Sequence, residues 1–125
     1  MYKRQTPDYT LILQPMTKAE VVRYWLAYNG YEFLDEVLVR DGGIIYQIIR
    51  ARIKENTPLS LAELFTGEYS LARKNALFGE FIDDLISRFE TGIKGLERAK
   101  DCEPGSLALK KQICAELREM REKSK

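Results

Sequence analysis

The stretch Thr10-Leu11-Ile12-Leu13-Gln14-Pro15-Met16 decides how this chain is read. A short apolar run that stops at a polar residue and then at Pro predicts a buried strand, because Pro15 has no N–H for a ladder and fixes the exit. In open α/β sheets the ligand crevice lies beyond the carboxyl ends of the strands, which puts Gln14 and Pro15 at the rim of a site. The other reading is a strand end that simply needed a stop. One Gln-Pro pair does not decide between the two.

Working outward, Thr17-Lys18-Ala19-Glu20 has the capping-box pattern and opens the apolar series Val21, Val22, Trp25, Leu26 and Tyr28, with Gly30 as the left-handed stop. The pattern predicts a helix over about 17–29 with Trp25 packed on the sheet rather than stacking a base. Residues 31–40 and 44–52 are β-branched and aromatic, and Asp41-Gly42-Gly43 between them suits a tight hairpin. The expected product is a three-stranded mixed sheet in which 44–52 lies between 9–14 and 31–40, antiparallel to both. Ile44-Ile45-Tyr46-Gln47-Ile48-Ile49 is apolar at nearly every position, so both faces of that strand are expected to be covered. A strand, a crossover helix and a hairpin are too few to stand alone. They read as the closing elements of a larger α/β sheet.

Arg50, Arg52 and Lys54 recur at the strand period and form a basic strip, either for phosphates or as a solvated edge that resists aggregation. Residues 56–72, punctuated by Pro58 and Gly67, read as a connector with a turn or two of helix at 61–65. From about Arg73 the period is helical. Phe78, Ile82, Leu85 and Phe89 share one seam, Asp84/Arg88 and Glu90/Lys94 are i,i+4 pairs, and Gly92 and Gly95 imply close approach of a neighbour or a bend. After Glu103-Pro104-Gly105-Ser106 a second helix over about 106–123 carries Leu109, Ile113, Leu117 and Met120 on one stripe, which makes an antiparallel coiled-coil hairpin of 73–125. Residues 1–55 form the sheet part.

Composition narrows the chemistry. With 125 residues, 45% hydrophobic and 31% charged, the chain is one soluble domain's worth, and a net charge of +1 leaves any nucleic acid to a local patch. No apolar run approaches the ~20 residues of a membrane helix and no secretory leader opens the chain, so a cytoplasmic location without membrane attachment is the default. The absence of histidine excludes His triads, His metal sites and imidazole acid–base chemistry within the chain. Cys102 and Cys114 lack metal-like spacing and read as reduced packing residues.

Leu11-Ile12-Leu13-Gln14-Pro15, the helix around Arg23-Tyr24-Trp25-Leu26, Asn29-Gly30-Tyr31, Asp35-Glu36-Val37-Leu38-Val39-Arg40 and a Tyr46-containing partner strand resemble the second half of the bacterial TrmK-type tRNA (adenine-N1)-methyltransferases. The later helices resemble that family's two-helix arm in pattern and in Asn75-Ala76-Leu77-Phe78. The resemblance implies an α/β fold, α+β as a fragment: the last strands of a Rossmann-like methyltransferase sheet followed by the coiled-coil arm. It implies a tRNA substrate, S-adenosylmethionine (SAM) as methyl donor for the complete enzyme, Gln14 and Pro15 near the flipped adenine or the donor, and Arg50, Arg52, Arg73 and Lys74 as phosphate contacts. The family's glycine-containing strand-to-helix loop and acidic ribose partner have no counterpart here, and Met16 departs from the polar residue many members carry. The chain is therefore expected to be the C-terminal part of such an enzyme, without cofactor binding of its own, and either to need the missing half or to self-associate through an exposed sheet edge. An interaction module that binds RNA or protein through the helical hairpin, with no catalysis, is the competing class.

Overall fold

The computed structural model describes residues 10–53, 58–99 and 103–125. The expectations on Lys54 and Cys102 lie outside these residues. The chain divides into two compact units, Met1–Asn75 and Ala76–Lys125.

In the first unit β1 (Leu11–Leu13) leads to α1 (Ala19–Tyr28), the hairpin β2 (Tyr31–Asp41) and β3 (Ile44–Ile53), and the short helices α2 (Leu61–Thr66) and α3 (Tyr69–Ala72). The sheet has order β1-β3-β2 with both pairings antiparallel. The placing of the third strand between the other two is as the sequence predicts; the sheet is antiparallel throughout rather than mixed. Gly42 and Gly43, at φ 61° and 82°, make the two-residue turn that matches the twist of its strands.

A bulge interrupts the β2–β3 register between Phe33 and Asp35. The extra residue shifts the side-chain alternation by one, so Phe33 opposite Ala51 and Glu36 opposite Ile49 come to lie on the same face. That face holds the core: Leu26, Phe33, Ile49 and Ala51 are buried, with Leu13, Val22, Ala27, Tyr31, Leu59 and Leu71 packed against them. Each fully buried Leu or Ile contributes about 1.5–3 kcal/mol. Leu59 and Leu71 bring the segment read as a connector onto this core. The other face of β3 is not covered as expected: Arg50 and Arg52 are exposed and Tyr46 and Ile48 only half-buried.

One local expectation fails at α1 and one holds in part. The Thr17 capping box does not form; Lys18 is the N-cap, in the left-handed region at φ 53°, ψ 48°, with no side-chain cap. The capping box of this unit is at α2, where Ser60 Oγ accepts from Glu63 N at 3.1 Å and Glu63 Oε1 accepts from Ser60 N at 2.9 Å. Trp25 meets the sheet through Tyr31 of β2, the ring centroids 5.8 Å apart and tilted, but is not covered by it and stays 54% exposed.

The second unit is the helix pair α4 (Phe78–Arg98) and α5 (Pro104–Ser124). Ion pairs Asp83–Arg121 (2.9 Å), Glu90–Arg118 and Glu97–Lys111 (3.2 Å) run in opposite chain directions and so fix the helices antiparallel. Phe78, Phe81, Ile82 and Leu85 are buried on α4, and Ile113, Cys114, Leu117 and Met120 on α5. Leu109, placed on the stripe by sequence, is 48% exposed, and Cys114 takes a place in the buried row. Phe89 is half-buried under Lys110, whose Nζ lies 5.5 Å from the ring. Glu90 pairs with Arg118 rather than Lys94, while Asp84–Arg88 forms at 2.8 Å as expected. A Cβ added at Gly92 or Gly95 would meet nothing within 4 Å, so neither glycine serves close helix approach.

Candidate functional site

Gln14 and Pro15 follow β1 at its carboxyl end, Gln14 exposed and Pro15 half-buried. The connection from there to α1 passes through Lys18, which has the one left-handed non-glycine backbone among the described residues. Its carbonyl accepts the N–H groups of Val21 (3.0 Å) and Val22 (3.4 Å), holding the first turn of α1 in place of the absent cap. A lysine in this conformation costs of order 1 kcal/mol, which the following helical turn supports. Nothing in the local pattern of the sequence marks Lys18 for it.

Behind the rim lies a polar cluster that the sequence reading missed. Arg23 is fully buried. Its Nε and one terminal nitrogen donate to Glu36 Oε2 (3.1 Å) and Oε1 (2.9 Å), that same nitrogen donates to Gln47 Oε1 (2.6 Å), and the other donates to the Leu64 carbonyl (2.9 Å). The side chain thereby ties α1 to β2, β3 and α2. Burial pushes the Glu36 carboxyl above its ordinary value, and the hydrogen bond and charge of Arg23 pull it only part of the way back. Gly67, at φ 94°, passes so close to this carboxylate that a Cβ there would stand 2.5 Å from Glu36 Cδ. The buried Ala19 and Leu26 and the partly buried Val22, with Arg23 beside them on the wheel, were the available signal.

Asn75 is a second missed residue. Its amide nitrogen donates to the Glu36 carbonyl at 2.7 Å and its oxygen accepts from Leu38 N at 3.0 Å, so the side chain pairs with β2 as another strand's backbone would.

The four cations named from sequence occupy two places in the first unit. Arg50 and Arg52 project from the open face of β3; Arg52 is already paired with Glu32 at 2.8 Å. Arg73 and Lys74 are exposed just past α3, Arg73 lying 5.9 Å over the Tyr69 ring. Among the described residues no group of three or more His, Cys, Asp or Glu side chains is placed to hold a metal ion, and no helix is long and apolar enough to cross a membrane. Cys114 is a free, buried thiol whose pKa burial raises.

Strand, helix and antiparallel hairpin, with a polar residue just past the carboxyl end of the strand, make an α/β unit. A Streptococcus agalactiae protein of the NADB-Rossmann superfamily superposes with TM-score 0.70 at 21% identity, over 90% of this chain and 47% of its own. The sequence model of the TrmK family, tRNA (adenine(22)-N(1))-methyltransferase, matches residues 3–121, and the chain belongs to that family. The Bacillus subtilis m1A22 tRNA methyltransferase TrmK is similar at 25% identity and TM-score 0.62, over 90% of this chain and 48% of its own. Streptococcus pneumoniae Sp1610, described as a tRNA (m1A22) methyltransferase and solved with S-adenosyl-L-methionine, matches at 18% identity and TM-score 0.68, over 90% and 47%. No curated protein matches. The chain spans about half the length of these solved relatives.

Among the described residues the one strand-to-helix connection between β1 and α1, Gln14 to Lys18, contains no glycine, and the left-handed glycines are at the end of α1, in the hairpin and against Glu36.

Proposed function

We propose that this chain is the tRNA-facing, C-terminal half of a SAM-dependent tRNA adenine-N1 methyltransferase, with the methyl donor held by residues outside it. The match of residues 3–121 to the family carries this reading. Gln14 and Pro15 sit at the rim where the flipped adenine is presented; an amide at that point both donates and accepts to a base edge. Neutral adenine N1 already has a lone pair, so the transfer calls for in-line positioning more than a base, which is compatible with a chain lacking histidine. Arg50, Arg52, Arg73 and Lys74 contact phosphates, and the α4–α5 pair is a coiled-coil arm, in keeping with its buried stripes and antiparallel ion pairs.

Calorimetry on residues 1–125 tests the reading. The expected result is no heat on adding SAM and a weak, salt-sensitive signal with unmodified tRNA. Saturable SAM binding by this chain alone overturns the assignment of the donor site to another part.

A further inference from the structure

The rim from Gln14 to Lys18 has no buried residue: Pro15 is half-buried, and Gln14, Met16, Thr17 and Lys18 are exposed. A segment without a core of its own takes its shape from the elements that anchor its two ends. At one end Leu13 is paired with Ile49 of β3. At the other, the start of α1 is held by the buried Ala19 and, one turn on, by the buried Arg23, one terminal nitrogen of which donates to Gln47 Oε1 at 2.6 Å. Gln47 and Ile49 are two apart on β3 and so project from the same face. Both ends of the rim are thereby tied to neighbouring positions on one face of one strand. Closing the chain between these anchors leaves a trace at Lys18, which stands at φ 53°, ψ 48° although it carries a Cβ. Such strain persists only where the surroundings over-determine it.

We propose that Arg23 and Gln47 are positioning residues of the candidate site: their hydrogen bond holds the first turns of α1 on β3, keeps Lys18 left-handed, and so fixes the Gln14–Pro15 rim in the shape that presents Gln14 to a base. The inference rests on the reading of Gln14 and Pro15 as the rim of the adenine site. The other bonds of Arg23 serve a different end, since the pair with Glu36 and the contact with the Leu64 carbonyl reach β2 and α2. Gln47 is the partner on β3, the strand on which β1 itself is laid. Its amide is neutral, so removing it leaves no charge unpaired inside, and Arg23 keeps both bonds to Glu36. Val21 and Val22 report on Lys18, because their N–H groups donate to its carbonyl at 3.0 and 3.4 Å.

The test follows amide hydrogen exchange by NMR in the full 125-residue chain and in Gln47→Met, which keeps the length of the side chain and removes the acceptor. The expected result is exchange at Val21 and Val22 at least about fivefold faster in the variant, with Ile49 and Ala51 in the centre of the sheet within about twofold of the parent. Adding Lys18→Gly, which frees the left-handed backbone of strain, returns Val21 and Val22 to within about twofold of the parent. Unchanged exchange at Val21 and Val22, acceleration that spreads equally to Ile49 and Ala51, or no recovery on adding Lys18→Gly overturns the proposal. A second readout is the side-chain amide signal of Gln14 on adding unmodified tRNA. It shifts in the parent and in the double variant and at least about fivefold less in Gln47→Met, while the overall tRNA affinity, set by phosphate contacts, stays within about twofold. An equal Gln14 shift in all three proteins overturns the positioning role. No Gln14 shift in any of them, with the exchange pattern as expected, supports the hold of Arg23 and Gln47 on the rim and overturns the placing of the adenine at Gln14 instead.

Discussion

Arg23 brings a full charge into the interior and finds four acceptor contacts there, on Glu36, Gln47 and the Leu64 carbonyl. Breaking one side of such a pair leaves the other charge buried alone, so Arg23→Ala should cost about 3–5 kcal/mol in chemical unfolding. Replacing both partners, Arg23→Met with Glu36→Leu, should cost less than Arg23→Ala alone, because no charge is then left inside; a larger loss would mean that the pair is net favourable. The pH dependence has a definite sign. The folded-state carboxyl of Glu36 titrates above its value in the unfolded chain, so folding favours its neutral form. Its contribution is full below about pH 4.5 and declines as the pH rises through the folded value. Unfolding of the parent and of Glu36→Gln between pH 4 and 7 should therefore show the parent losing stability relative to the variant as the pH rises. A trend in the other direction would place the charge of Arg23 above burial as the dominant effect. None of this was legible residue by residue, since a charged side chain inside an amphipathic helix is read as facing water. The face became readable only through its neighbours Ala19, Val22 and Leu26, and the bulge that turns Glu36 inward leaves no mark in the pattern of β2.

At the scale of elements, sequence reading worked where one local cause dominates. Asp41-Gly42-Gly43 admits little but a tight hairpin, and Gln14-Pro15 ends its strand. It failed where two causes compete, as at Thr17-Lys18-Ala19-Glu20, where the capping box lost to a left-handed Lys18, while Ser60-Leu61-Ala62-Glu63 formed one. On the second unit the 3.6 period gave both helices and, on α5, the buried Ile113, Leu117 and Met120; Leu109 alone of the expected stripe falls outside it and Cys114 joins it. Leu117 is fully buried and Leu109 nearly half exposed. Leu117→Ala should thus cost about 2–5 kcal/mol and Leu109→Ala within about 0.5 kcal/mol of nothing, measured by denaturant unfolding. Comparable losses at the two positions would return Leu109 to the seam. Gly92 and Gly95 lie inside α4 with open space over the Cβ position, so Gly92→Ala and Gly95→Ala should each raise stability by about 0.5–1 kcal/mol. A loss instead would reveal a bend or a contact that those glycines permit.

For the whole molecule the charge balance sets the terms of the proposed RNA binding. Twenty basic and nineteen acidic side chains leave no long-range field, so the proposed affinity for tRNA would come from counterions released at a few local contacts. Each phosphate contact contributes roughly −0.7 to −0.9 to the slope of log affinity against log salt, and four contacts bound the slope near about −3. Arg52 shares its charge with Glu32 at 2.8 Å and Arg73 leans on Tyr69, so the cations are not equivalent. Arg50→Gln should flatten the slope by about one contact and Arg73→Gln with Lys74→Gln by about two, while Glu32→Gln, which releases Arg52, should steepen it. The measurement is tRNA binding by fluorescence anisotropy across a salt series, with an affinity in the non-specific range of roughly 10⁻⁴ to 10⁻⁶ M at physiological salt. If the slope keeps its value in all these variants, the sheet unit makes no phosphate contact. The binding then belongs to the helix pair, whose outer rows, Arg118 and Lys111 among them, are at present occupied with Glu90 and Glu97.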